Sequence, residues 1–217
     1  MADNAGMDDD VQREWAAVAA ALMVDEGLEA RRALQRAQTQ LRLPARTPPP
    51  GPALIDAAVR EHLAIFHADT QPAELRALRE TALAWMERLA AFAPLLGGAV
   101  WHGTATRLSD IHLQLFSDDP KAVEIALINA GLDYDARCAP GLQGKETSVL
   151  SLTVRCDGLG EAVGLHLWVN DAQAQRGARL PDALGRVPRG TCAELRNLLA
   201  SAESDAAKGC ETCNDGP

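Results

Sequence analysis

Asp110 and His112 stand two residues apart in the run Ser109-Asp110-Ile111-His112-Leu113-Gln114-Leu115-Phe116, and His166 stands in a second alternating run, from Ala162 to Asn170. Side chains two apart on a strand share a side. Ile111, Leu113 and Leu115 are therefore expected to face a core, with Asp110, His112 and Gln114 on the opposite face. A carboxylate and imidazoles on one face have two chemistries open to them. They can hold a transition ion such as Zn2+ or Fe2+, or they can move a proton near neutral pH, where imidazole titrates. Gly103-Thr104 is expected to form a turn just upstream of Asp110.

The elements that would position these residues follow from the patterning around them. Ser148 to Arg155 and Ala162 to Asn170 alternate as strands, joined by the hairpin turn Asp157-Gly158-Leu159-Gly160. Leu150, Leu152 and Val154 oppose Ser151, Thr153 and Arg155, while Val163, Leu165, Leu167 and Val169 oppose Gly164, His166 and Trp168. Paired in one sheet, the strands gather Asp110, His112, Ser151, Thr153, Arg155 and His166 on one face. An antiparallel sheet with one wet face shows the same alternation without any function. Two histidines, a carboxylate and an arginine beside a turn are more chemistry than a solvated face requires, and this face is the candidate site.

The rest of the chain supplies mostly helices. Val11 to Met23 reads as an amphipathic helix and a second follows Gly27, which together make an N-terminal helical pair. The stretch Pro44 to Pro52 cannot continue a helix and marks a boundary. Beyond it come a helix from Ile55 to Phe66, in which His62 lies at the edge of an apolar stripe, and a longer one from Asp69 to about Phe92. Gly98 to Trp101 reads as a strand, Asp119-Pro120 opens a helix closed by Gly131, and Thr191-Cys192-Ala193-Glu194 is a capping box opening the last helix. The expected fold class is α+β, a mixed sheet packed on helices. Its expected divisions are a helical segment over 1–43, a Pro-rich linker over 44–52, the main domain over 53–200 and a disordered tail over 201–217.

With 217 residues, 47% of them hydrophobic, the chain can bury one substantial core. A formal charge of -9 argues against strong nucleic-acid binding, which depends on Lys and Arg displacing condensed counterions. No apolar run could span a membrane and the first ten residues are acidic, so the expected location is cytoplasmic. Five cysteines imply reduced thiols, and Cys210-x-x-Cys213 lacks two further ligands nearby for a zinc site. The preference for Arg over Lys and the abundance of Ala fit a GC-rich bacterial genome.

The residues Gly103-Thr104 and Ser109-Asp110-Ile111-His112 resemble the signature of the nucleotidyltransferase superfamily with the polymerase-beta-like fold. In that family a strand ends in Gly-Ser or Gly-Thr, the next begins Ser-Asp-hydrophobic-Asp, and a third carboxylate follows on a later strand. From about Glu74 to Asn170 the order of elements is similar to the family's, and the chain also resembles small proteobacterial nucleotidyltransferase-like proteins. The resemblance implies that Asp110, His112 and His166 occupy the catalytic and metal-holding positions, with Gly103, Thr104 and Arg155 nearest a nucleotide. Here two of the three acids are histidine, a poor replacement at Mg2+, which is a hard ion that takes oxygen ligands. Three readings follow. The first is a degenerate nucleotidyltransferase-like protein, a pseudoenzyme that binds a nucleotide or a protein partner without catalysis. The second is an active nucleotidyltransferase using Mg2+ at Asp110 and a histidine base, and the third is a transition-metal site of Asp110, His112 and His166.

Overall fold

Trp15, Ala19 and Leu22 recur at helical spacing on α1 (Asp3–Asp25), where they meet Ala33 and Ala37 of α2 (Ala30–Gln40). The Trp15 indole Nε1 donates to the Leu34 carbonyl at 2.9 Å, so the polar edge of this buried ring is satisfied. Ala20 and Val24, on another side of α1, meet Val59 and Leu63 of α3 (Pro52–Phe66). Helix α1 thus packs on both α2 and α3. The computed structural model describes the backbone of residues 3–182 and 185–211, and the side chains at 3–8, 143 and 203–211 are not described.

The chain divides into two units, one comprising Met1–Ala73 with Thr104–Ser109, the other Glu74–Gly103 with Asp110–Pro217. The Pro-rich stretch over 44–52, expected as a boundary, connects α2 to α3 inside the first unit. Amides hold it there: Gln12 Nε2 donates to the Pro48 carbonyl at 2.8 Å and Gln38 Nε2 to that of Pro44 at 3.0 Å. Pro50 is buried. Proline stops the helices at this point, as its missing N–H requires, but side-chain donors supply the tie that the sequence pattern did not show.

The second unit is a mixed α/β structure. Its six-stranded sheet has the order β3-β4-β5-β2-β1-β6. These are β1 (Leu95–Gly97), β2 (Ile111–Phe116), β3 (Asp135–Pro140), β4 (Glu146–Cys156), β5 (Glu161–Asn170) and β6 (Arg189–Gly190). All neighbours are antiparallel except β2 and β5, which run parallel. Ile111, Leu113, Leu115, Leu150, Leu165 and Leu167 are fully buried on one face, in keeping with the alternation. Buried side chains also come from α4 (Gln71–Arg88), α6 (Ala122–Asn129) and α7 (Cys192–Glu211). Helix α4 reaches the hairpin, where the Thr81 hydroxyl lies 3.2 Å from Cys156 Sγ.

Three local readings are corrected. The segment expected as a strand over 98–101 is a short helix, α5 (Gly98–His102), and the strand is β1 just before it. A brief apolar run does not distinguish strand from helix by periodicity; Gly98, at φ 69°, makes the turn between them. The loop after Gly131 contains strand β3, missed because an edge strand exposed on both faces carries no alternation. Helix α7 takes in part of the segment expected as a disordered tail, whose last residues, Cys213 among them, lie outside the described residues.

The capping box at Thr191 is present. The Thr191 backbone N–H and hydroxyl both donate to Glu194 Oε2 at 2.8 Å, and the Glu194 N–H returns to the hydroxyl oxygen at 3.3 Å. We expect Thr191→Ala to cost about 1 kcal/mol, read as a lower urea midpoint with an unchanged slope. Among the described residues no helix is long and apolar enough to cross a membrane.

Candidate functional site

The parallel pairing of β2 and β5 decides the geometry of the polar face. Its register places His112 beside His166, and the β4–β5 hairpin places Ser151 on the other side of His166. Asp135 of β3 pairs with Ser151, Gly97 of β1 with His112, and Arg189 of β6 with Gly97. One row therefore crosses the whole sheet: Asp135, Ser151, His166, His112, Gly97, Arg189. The structure brings Asp110, His112, Ser151 and His166 together. Asp135 and Arg189 at the two ends were missed, because strands β3 and β6 carry no pattern that announces them.

His166 is the centre of the row. Its Nε2 lies 3.1 Å from Asp110 Oδ2 and its Nδ1 lies 2.9 Å from Ser151 Oγ. An ionised carboxylate only accepts, so Asp110 holds the proton on Nε2; in the neutral ring Nδ1 is then left to accept from the Ser151 hydroxyl. The order Asp, His, Ser is that of a nucleophilic relay. Ser151, however, lies within β4 between β3 and β5, which ties its peptide groups into the sheet rather than aiming them as donors at an oxyanion. The His112 ring stacks on His166 with centroids 5.0 Å apart and 26° between planes. Trp168 Nε1 points at His112 Nδ1 from 3.5 Å, and behind them Asn170 Nδ2 donates to Gln114 Oε1 at 2.8 Å in a buried amide pair.

Gly164 makes room for the carboxylate. A Cβ at this position would stand 2.4 Å from Asp110 Oδ1 and 2.7 Å from its Cγ, so no residue with a side chain fits beside Asp110 as it stands. The hydrogen bond from His166 is the chief reason that the Asp110 carboxyl lies below the ordinary carboxylate range. Burial pushes it the other way, and the charges of His166 and His112 together with the Gly164 N–H add to the lowering. A carboxyl depressed by folding contributes stability that is complete above its unfolded value, about 3.9, and is lost as pH falls through the lower folded value. We therefore expect the melting temperatures of wild type and Asp110→Asn to differ at pH 6 and to converge as acid protonates Asp110. Curves that stay parallel down to pH 2.5 would contradict this.

Gly103 caps α5 at φ 82°, and Arg79 beside it donates from Nε to the Val100 carbonyl at 3.1 Å and from its terminal nitrogen to that of Trp101 at 3.3 Å. Gly103 and Arg79 thus close a helix end. Thr104 belongs to the first unit and Gly103 to the second, so the Gly103-Thr104 turn is divided. The turn at the end of a strand leading into a short helix is Gly97-Gly98, and His112 Cδ2 lies 3.5 Å from where a Gly98 Cβ would stand. Arg155 pairs with Asp157 at 2.9 Å on the hairpin. It lines a cavity of about 700 Å³ together with Trp85, Tyr134, Asp135, Ser151 and Thr153, a volume in the range of small-molecule sites. Ser151 is common to this cavity and the row.

Asp110, His112 and His166 are not among the groupings of three donors within 4.8 Å of one another found in the described residues. Among the described residues, the grouping of three His, Cys or carboxylate donors within 4.8 Å of one another is Asp25, His62 and His67 in the first unit.

No protein-family model and no curated protein matches the chain. Solved structures of a poly(U) polymerase are similar to part of it. The complex of Cid1 with the UTP analog UMPNPP is 17% identical with a TM-score of 0.32, over 53% of this chain and 36% of that one. The Cid1 poly(U) polymerase crystal structure is 18% identical with a TM-score of 0.33, over 54% and 37%. The MgGTP-bound form is 16% identical with a TM-score of 0.33, over 53% and 38%. The chain spans little more than a third of the length of these structures.

Proposed function

We propose that the second unit is a nucleotidyltransferase-like domain whose metal site is degenerate, and that it binds a nucleotide or a protein partner without metal-dependent transfer. The observation that carries this reading is the engagement of Asp110. Its carboxylate accepts from His166, which itself spans to Ser151, so an imidazole N–H occupies the carboxylate where the family would set an ion. Mg2+ would have to displace His166 and would then find one oxygen donor where the family has three. The strand, Gly-Gly turn, short helix and Ser-Asp strand around Asp110 support the family assignment, as does the parallel β2–β5 pair that sets His166 beside His112. The ligand would lie in the cavity that Ser151 shares with the row, with Arg155 at its edge.

Purified protein tested with labelled NTPs, with and without Mg2+ or Mn2+, should show no metal-dependent incorporation into itself or into candidate acceptors. A thermal shift with nucleotide that persists in EDTA identifies the ligand, and no shift directs the search to a protein partner. Transfer by the wild type that Asp110→Ala abolishes would replace this reading with that of an active enzyme in which His166, held by Asp110, serves as base.

A further inference from the structure

We propose that Asp25, His62 and His67 form a binding site for a divalent transition-metal ion of the Zn2+ class, in the helical unit and separate from the row on the sheet. Asp25 is the last residue of α1, His62 lies in α3, and His67 is the residue at which α3 ends. His62 Nε2 is 3.0 Å from Asp25 Oδ1 and 3.1 Å from Oδ2, and His67 Nε2 is 2.8 Å from Oδ1. Both rings thus aim the same nitrogen at one carboxylate oxygen.

Local structure explains how the second histidine arrives. Residues five apart on an unbroken helix diverge by about 140°. His67 leaves the helix at φ −129°, ψ 15° after its N–H closes the last turn on the Leu63 carbonyl, and this break brings its ring back to the side of His62. The ring centroids of the two histidines are 5.9 Å apart and tilted by 40°, so the imidazoles meet at an angle rather than stacking as His112 and His166 do. Phe66 lies 4.7 Å from the His62 ring as an apolar wall. The side chains of His62 and His67 are only 15% and 28% exposed, whereas that of Asp25 is 47% exposed, which leaves an approach from solvent.

The chemistry favours an ion over a simple ion pair. One imidazole suffices to satisfy a carboxylate, yet two converge here, and Asp25 sits at the negative end of a helix dipole, where the field draws a cation. Ligands 2.0–2.2 Å from a tetrahedral ion stand roughly 3.3–3.6 Å apart, so the carboxylate oxygen and the two imidazole nitrogens, now 3.0 and 2.8 Å from it, need only open slightly. All three donors already lie within 4.8 Å of one another. Entry of the ion requires each Nε2 to give up its proton, to Nδ1 of the same ring or to solvent. Two imidazoles and one carboxylate suit Zn2+, Co2+ or Ni2+ and disfavour Mg2+ and Ca2+. They leave a fourth position for water.

The test is titration of the full chain with Co2+ alone and then with Zn2+, carried out with Cys210→Ser and Cys213→Ser so that the C-x-x-C pair does not compete. One equivalent of Co2+ should give the visible bands of nitrogen and oxygen ligation, and Zn2+ should displace it. His67→Ala and Asp25→Asn should each weaken Zn2+ binding by at least about tenfold, with helical circular dichroism unchanged, while Asp110→Ala should leave it as it was. Imidazole 15N spectra provide a readout that no substitution can confound: Zn2+ should shift the Nε2 resonances of His62 and His67. Binding below one equivalent, affinity unchanged in both variants, or shifts confined to other histidines would overturn the site.

Discussion

Replacing His112 and His166 together with aspartate will strengthen Mg2+ binding at the sheet by about tenfold or more, some 1.4 kcal/mol. The register sets positions 112 and 166 side by side, and Asp110 lies close enough to reach His166 at 3.1 Å. Three carboxylates would then face one point. Without a metal they repel one another, and the imidazole stack is lost, so the double variant should melt below the wild type in EDTA. With Mg2+ its melting temperature should rise, because an ion that binds only the folded state stabilises it by mass action. The wild type should show no comparable rise. A double variant whose Mg2+ affinity matches that of the wild type would mean that the three positions do not converge, and the proposed relation to a nucleotidyltransferase site would fall with it.

Gly164→Val will destabilise the second unit by about 1–3 kcal/mol, the range for forcing bulk into a filled site. The branched side chain would overlap the Asp110 carboxylate, which must rotate away and abandon both His166 and the Gly164 N–H. Much of that cost should disappear when the carboxylate is absent. In an Asp110→Ala background the same substitution should cost far less, and the difference is a coupling energy of at least 0.5 kcal/mol for residues in contact. Equal costs in the two backgrounds, measured by urea denaturation, would show that Gly164 is needed for strand geometry and not for the carboxylate beside it.

Both predictions rest on features that were legible to different degrees. Alternation along β2, β4 and β5 placed Asp110, His112, Ser151 and His166 on one face, because a half-buried strand must send apolar side chains one way and polar ones the other. The hairpin turn and the Thr191 capping box were readable for a similar reason, since each is satisfied by bonds among near neighbours. The turn was read as Gly103-Thr104 from a motif, whereas Gly97-Gly98 lies where the strand ends and α5 begins; Arg155 lines the cavity that includes Ser151.

What the sequence by itself determined is local: which residues lie on helices and on the central strands, where caps and turns stand, and which side chains share the polar side of a strand. Tertiary structure decided everything that depends on which strands are neighbours. The parallel pairing of β2 with β5 spans 56 positions between His166 and Asp110, and no local pattern encodes a partner at that separation. That pairing joins Asp110 to His166 by a hydrogen bond and stacks His112 on it, turning three separate residues into one contiguous group. The meeting of Asp25 with His62 and His67 was equally invisible. It depends on α1 lying against α3 and on where α3 stops, and contacts between helices are set by the packing of Ala20, Val24, Val59 and Leu63, whose periodicity names a buried face but not the face it meets.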